Sequence, residues 1–207
     1  MEFNFVGEGI EAIVIDNFYT QEEYSSVLNS CFEIMPYMRP PEDTAGAVSV
    51  DGSRFIKSNH GIFITENSPT PVDTINRMKI ESTEFKNSLI KISPLYKMYR
   101  AMNTSTTLLS YYSDGDYYDT HVDVSIFTIV VYLYKEPKLF EHGDLTLYSC
   151  YEGKCAEIES RPNRAVIFPS CTPHKVSKVQ AKQGFSRDNG DGRFCITHFV
   201  NLKDPRL

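Results

Sequence analysis

The rhythm of apolar and polar positions changes about halfway along the chain. Residues 12–16 (AIVID) make an apolar run of strand length. Behind them Thr20-Gln21-Glu22-Glu23 has the form of a capping box, in which hydroxyl and carboxylate each satisfy the other residue's backbone N–H. Val27, Leu28, Cys31, Phe32 and Met35 then recur at helical spacing. Residues 36–53 contain Pro36, Pro40, Pro41, Gly46 and Gly52 and predict a long loop leading to a strand near 54–57. Loops of that length in compact domains are often functional. Between 71 and 100, Val72, Ile75, Met78, Leu89 and Ile92 predict amphipathic helical pieces interrupted by Pro94.

From residue 106 onward the helical period gives way to short strands. They are predicted at 106–112, 117–122, 127–134, 144–148, 156–159, 164–168, 174–179 and 193–201, punctuated by Asp-Gly, His-Gly, Glu-Gly and Asn-Gly turns. Strands so short and so closely spaced predict a barrel or jelly roll. The expected fold class is mainly β with flanking α: a jelly-roll core over 106–201, buttressed on one face by helices from 1–105. At 207 residues, without repeat or linker, one domain is expected.

Composition narrows the partners. Lys and Arg number 21 against 27 Asp and Glu, a balance of −6 without a basic stripe, which disfavours nucleic acid and anionic membranes. The longest apolar run, 129–134, falls far short of the roughly 20 residues a bilayer helix needs. No secretory pattern follows Met1, and the five Cys include no CxxC pair, so a reducing, cytoplasmic setting is expected.

Chemistry concentrates in the second half. His121-Val122-Asp123 places an imidazole and a carboxylate two residues apart, on one face of an extended strand. Alone, such a triplet is equally well a surface His beside a solvated Asp. His174, after the apolar run 165–168, opens another predicted strand. Two His and one carboxylate on neighbouring strands can form the facial triad that leaves open positions on Fe(II). Arg193 opens the last strand, and pointing inward it would need a carboxylate partner, which a dicarboxylate ligand supplies.

The run from Tyr112 through Ser113-Asp114-Gly115-Asp116-Tyr117-Tyr118-Asp119-Thr120 to His121-Val122-Asp123 resembles the segment that leads into the first two iron ligands of Fe(II)/2-oxoglutarate-dependent dioxygenases of the prolyl 4-hydroxylase type. The likeness continues through Thr128-Ile129-Val130-Val131-Tyr132-Leu133, through His142-Gly143-Asp144, where His142 replaces a Gly, and through 164–170, His174 and Gly192-Arg193. Upstream, residues 15–23 resemble the family's first strand and helix, and 54–64 its pre-core hairpin.

The resemblance implies Fe(II) held by His121, Asp123 and His174. It also implies 2-oxoglutarate as co-substrate with its distal carboxylate on Arg193, O2, and ascorbate as an accessory reductant. Tyr112 or Tyr132 would hydrogen-bond the co-substrate, and core packing is the competing role for each. Arg54 and Tyr118 are candidate substrate contacts. The implied reaction is hydroxylation of a C–H bond, most directly of a prolyl residue in a peptide or protein, with a free amino acid or other small molecule as the alternative. A zinc hydrolase and a non-catalytic jelly-roll module are the competing classes. Two departures stand out. Arg193 lies 19 positions after His174 (193 − 174), beyond a polar insertion at 183–191, which makes Lys182 a rival for the carboxylate. Cys195 stands where many relatives carry a small hydroxyl residue, and Thr197 is the candidate to replace it. Both 36–53 and 183–191 are candidate covers for the site.

Overall fold

The computed structural model describes residues 1–7, 9–44, 46, 48–49, 51–64, 70–151 and 153–203. Parts of the expected loop at 36–53 (45, 47 and 50) and of the Glu152-Gly153 turn lie outside the described residues.

The capping box at Thr20 forms as the sequence predicts. Thr20 Oγ1 accepts from Glu23 N–H at 3.2 Å, and Glu23 Oε2 accepts from Thr20 N–H at 2.8 Å. It opens α1 (Gln21–Ile34), whose first turn carries Glu22 and Glu23 at the positive end of the helix dipole. The predicted 71–100 region resolves into α2 (Pro71–Glu81), α3 (Thr83–Ile92) and a 3-10 segment (Pro94–Ala101). Ser82, whose hydroxyl accepts from Phe85 N–H, separates the first two, and Pro94 opens the third.

Among the described residues there are thirteen strands, in chain order β1 (Glu2–Val6), β2 (Ala12–Asp16), β3 (His60–Ile64), β4 (Thr104–Tyr112), β5 (Tyr118–His121), β6 (Phe127–Leu133), β7 (Phe140–Glu141), β8 (Leu145–Tyr148), β9 (Cys155–Ile158), β10 (Arg164–Pro169), β11 (His174–Val176), β12 (Gln180–Ala181) and β13 (Arg193–Asn201). The larger sheet runs β1-β2-β10-β6-β13-β4-β3, the smaller β5-β11-β8-β9, and β7 pairs with β12. The pairings are antiparallel throughout.

The period of two sorts side chains between two cores. In β6, Phe127, Ile129, Val131 and Leu133 pack with α1, α2, α3 and the 3-10 segment, whereas Val130 and Tyr132 face Leu145, Leu147 and Ile158 of the smaller sheet. Both faces of β6 are therefore covered, which explains its unbroken apolar run. The two sheets enclose the second core between them, and the helices lie on the outer face of the larger sheet, the buttressed jelly roll the sequence predicts.

The local differences have plain causes. The strand expected near 54–57 is reduced to the isolated bridges Val48↔Phe55 and Lys57↔Tyr118, and the regular strand begins at His60, where pairing with β4 becomes continuous. β1 is an edge strand largely open to solvent, so its sequence lacks the apolar signal of a core strand. No helix among the described residues is long and apolar enough to cross a membrane.

Candidate metal and co-substrate site

Between the sheets lies an open cavity of about 340 Å³, and the three predicted metal ligands line it. His121 ends β5 and His174 begins β11, directly opposite in register. Asp123 lies just past the end of β5, where its N–H donates to Ser170 O at 3.0 Å. The convergence of His121 and Asp123 thus depends on a pinned turn as well as on strand alternation. The ligand atoms of His121, Asp123 and His174 all fall within 4.8 Å of one another.

Hydrogen bonding sets each ligand's chemistry. His121 Nδ1 lies 2.8 Å from Asp119 O, and His174 Nδ1 lies 2.9 Å from Thr172 O. Each Nδ1–H therefore donates to a main-chain carbonyl, which leaves both Nε2 lone pairs for a metal. These nitrogens stand 3.7 and 3.5 Å from the Asp123 carboxylate, too far for hydrogen bonds and close enough to share an ion. Burial, reinforced by the neighbouring His174, pushes His121 down to about 3 and keeps it a neutral ligand. Asp123 Oδ2 accepts from Thr128 Oγ1 at 2.6 Å, and Thr128 is tied in turn to Ser170 at 2.9 Å. Tyr118 stacks on His121 with ring centroids 3.5 Å apart, and its hydroxyl donates to Gly46 O.

Deeper in the cavity, Arg193 is fully buried, and its Nε, Nη1 and Nη2 have no hydrogen-bond partner among the described residues. Its guanidinium carbon lies 4.3 Å from the Tyr112 ring centroid and 5.0 Å from that of Tyr132. Two aromatic faces offset only part of the cost of a buried charge, so this pocket suits an anionic group. Gly143 gives this side chain its room. It sits at φ +74°, where a Cβ would come within 2.9 Å of Val179 Cγ2 and 3.3 Å of Arg193 Nε. Thr197 and Cys195 line the same wall, 3.8 Å apart. Burial pushes the Cys195 thiol up despite the opposing charge of Arg193. Burial likewise raises the Tyr112 and Tyr132 phenols, which stay protonated donors. The chemistry of this donor set suits a dicarboxylate.

Other candidates are placed elsewhere. Lys182 stands on the surface, 3.6 Å from Glu141. Arg54 pairs with Asp119 outside the cavity. The insertion at 183–191 does not line the cavity: Asp191 holds it through Ser186 N–H and Lys135, and Gly190 abuts Phe32. Loop 36–53 reaches the cavity through Gly46. Among the buried lining residues that the sequence did not single out are Lys57 and Asn59. Their signal is a Lys and an Asn close before an apolar strand, which is indistinguishable from solvent-facing positions. Burial pushes the Lys57 ammonium down to about 8.

Two histidines and one carboxylate with open positions beside them are the ligand set of non-haem Fe(II) oxygenases. Residues 107–201 match the family model described as the 2OG-Fe(II) oxygenase superfamily. This match, with the His-Asp-His cluster, implies Fe(II), 2-oxoglutarate and O2 as cofactors. No curated protein sequence matches the chain. Among solved structures, a prolyl-4-hydroxylase from Pseudomonas putida is similar at TM-score 0.65 and 14% identity, over 93% of each chain. A Trichoplax adhaerens prolyl hydroxylase, in complex with a hypoxia inducible factor peptide fragment, is similar at 0.61 and 17%, over 94% of this chain and 84% of that one. A 2OG-Fe(II) oxygenase family oxidoreductase from Burkholderia pseudomallei gives 0.62 and 12%, over 93% and 86%.

Proposed function

We propose that the chain hydroxylates a C–H bond of a peptide or protein, a prolyl residue foremost. His121, Asp123 and His174 would hold Fe(II), and Arg193 with Tyr112, Tyr132 and Thr197 would hold 2-oxoglutarate. When bound, Fe(II) with 2-oxoglutarate and O2 supplies the oxidising power that places a hydroxyl on the substrate and releases succinate and CO2. The chain's own residues orient and exclude. Main-chain carbonyls of Asp119 and Thr172 fix the two imidazoles, Thr128 fixes the carboxylate, and Arg193 fixes the far end of the co-substrate.

The observation that carries this reading is the unpaired, fully buried Arg193 guanidinium in the cavity that the three metal ligands also line. A hydrolytic zinc site has no use for that cation. The peptide part of the reading is supported by the rim, where Val124 is fully exposed and Val122 and Phe63 are 53% and 38% exposed, an apolar border suited to a chain lying across the mouth. The peptide in the Trichoplax complex supports it as well.

The test is anaerobic addition of Fe(II) and 2-oxoglutarate, then O2. A visible charge-transfer band followed by succinate release is expected, and both should be lost in His174→Ala. A wild type giving neither, or a variant giving both, would sink the proposal.

A further inference from the structure

Lys57 and Asn59 are each only 2% exposed, yet both line the cavity on the wall that also carries Tyr118. Lys57 is brought there by its bridge to Tyr118, and its Nζ lies 5.4 Å from that ring centroid. Asn59 Nδ2 donates weakly to His60 O at 3.4 Å, while Asn59 Oδ1 is buried without a hydrogen-bond partner. A buried, unsatisfied amide oxygen beside a cavity is an acceptor waiting for a donor. Of the 2-oxoglutarate candidates, Arg193 and Thr197 come from β13, Tyr112 from β4 and Tyr132 from β6, and none from this segment. The chemistry offered here is one acceptor and one cationic donor, two residues apart.

Resting on the hydroxylase reading above, we propose that Lys57 and Asn59 determine substrate specificity by reading one amino-acid unit of the substrate. Asn59 Oδ1 accepts an N–H, and the Lys57 ammonium faces a carbonyl or carboxylate oxygen. The backbone N–H and carbonyl of a non-prolyl residue in a peptide, such as a neighbour of a hydroxylated proline, offer this pair of groups. So do the ammonium and carboxylate of a free amino acid, and the two sources are separable.

The experiment uses the Fe(II)-loaded protein with 2-oxoglutarate and O2. One set of probes is the capped pentapeptides acetyl-Gly-Gly-X-Gly-Gly-amide with X each of the twenty residues, and the other is the twenty free amino acids. Gain of one oxygen is read by mass, and the charge-transfer band is recorded for every protein. Asn59→Leu and Lys57→Met should keep the band and raise KM for the accepted probe by about tenfold or more, the loss expected when a buried partner is removed. Asn59→Asp and Lys57→Arg, which keep an acceptor and a cation, should recover most of it. Asn59→Ser, which adds no bulk, reads the same interaction should the Leu variant lose its fold. Oxidised peptides identify a peptide source, and oxidised free amino acids a small-molecule one. An unchanged KM in the apolar variants overturns the proposal. A wild type with band and succinate that oxidises neither set also overturns it and leaves the iron and co-substrate reading standing. A wild type without the band fails the reading itself.

Discussion

Arg193 shows how much one side chain can decide. From the sequence, Arg193 and Lys182 are both open as the cation, because the insertion at 183–191 breaks the expected spacing. The structure separates them through alternation in β13, which turns Arg193, Cys195 and Thr197 into the cavity and Phe194 and Ile196 toward the helices. Lys182 follows the short strand β12 and reaches solvent. A buried guanidinium without a partner is a cost borne by the ligand-free protein. Arg193→Met should therefore leave the unliganded protein as stable as wild type or more so, while weakening 2-oxoglutarate binding by roughly 2–5 kcal/mol. Thermal unfolding with and without 2-oxoglutarate checks both halves, and an equal ligand-induced shift in the two proteins would refute the assignment. Cys195 adds a smaller effect at the same wall. Cys195→Ser exchanges a weak thiol donor for a hydroxyl and should tighten co-substrate binding, roughly by the 0.5–1.5 kcal/mol of one hydrogen bond. Titration of the charge-transfer band measures it.

Elements were legible where local signals and packing agree. The capping box announces α1, and the two-sided burial of β6 announces itself as an unbroken apolar run. By contrast β1 is a largely exposed edge strand, and the bridge at Lys57 depends on Tyr118, far along the chain, so no local apolar pattern marks either. One long-range arrangement concerns stability. His198 in β13 is fully buried on the helix side, with Nδ1 3.1 Å from Thr107 Oγ1, which donates to Asp73 of α2 at 2.8 Å. Arg77 pairs with the same carboxylate at 2.9 Å, so the group ties α2 to the larger sheet. Burial pushes His198 from its ordinary 6.5 down to about 4, against the attraction of Asp73 and with the repulsion of Arg77. The folded state therefore resists the proton that the unfolded chain accepts. Stability is intact above pH 6.5 and is lost progressively as the pH falls from 6.5 toward 4. In metal-free protein, His198→Gln should reduce the loss of stability between pH 7 and pH 4.5 by roughly 2 kcal/mol. Urea midpoints at the two pH values decide it, and parallel losses in both proteins would show that His198 does not carry the effect.

At the scale of the whole molecule, the candidate site is distributed across the architecture. His121 and His174 belong to the smaller sheet, Arg193 to the larger, and Lys57 and Asn59 to the segment before the edge strand β3. The jelly-roll class and the metal triad could be read from strand spacing and ordered motifs. The Lys57 and Asn59 wall could not, because it is assembled by the bridge from Lys57 to Tyr118, 61 positions away in sequence (118 − 57). A ligand pair that touches both sheets should act as a cross-brace between them. By the proposed assignment Fe(II) alone would engage the smaller sheet and the Asp123 turn, and 2-oxoglutarate alone would meet Arg193. Bound together, the two would link the sheets. Each ligand present at a hundred times its Kd adds about 2.7 kcal/mol to stability, and the first should tighten the second beyond that. For a domain of this size such a gain is roughly 5–10 °C in Tm. The measurement is anaerobic thermal unfolding with metal, with 2-oxoglutarate, and with both, each repeated after chelation. A combined shift larger than the sum, abolished by chelator, is the expected result. Strictly additive shifts would mean that the two ligands do not meet across the sheets.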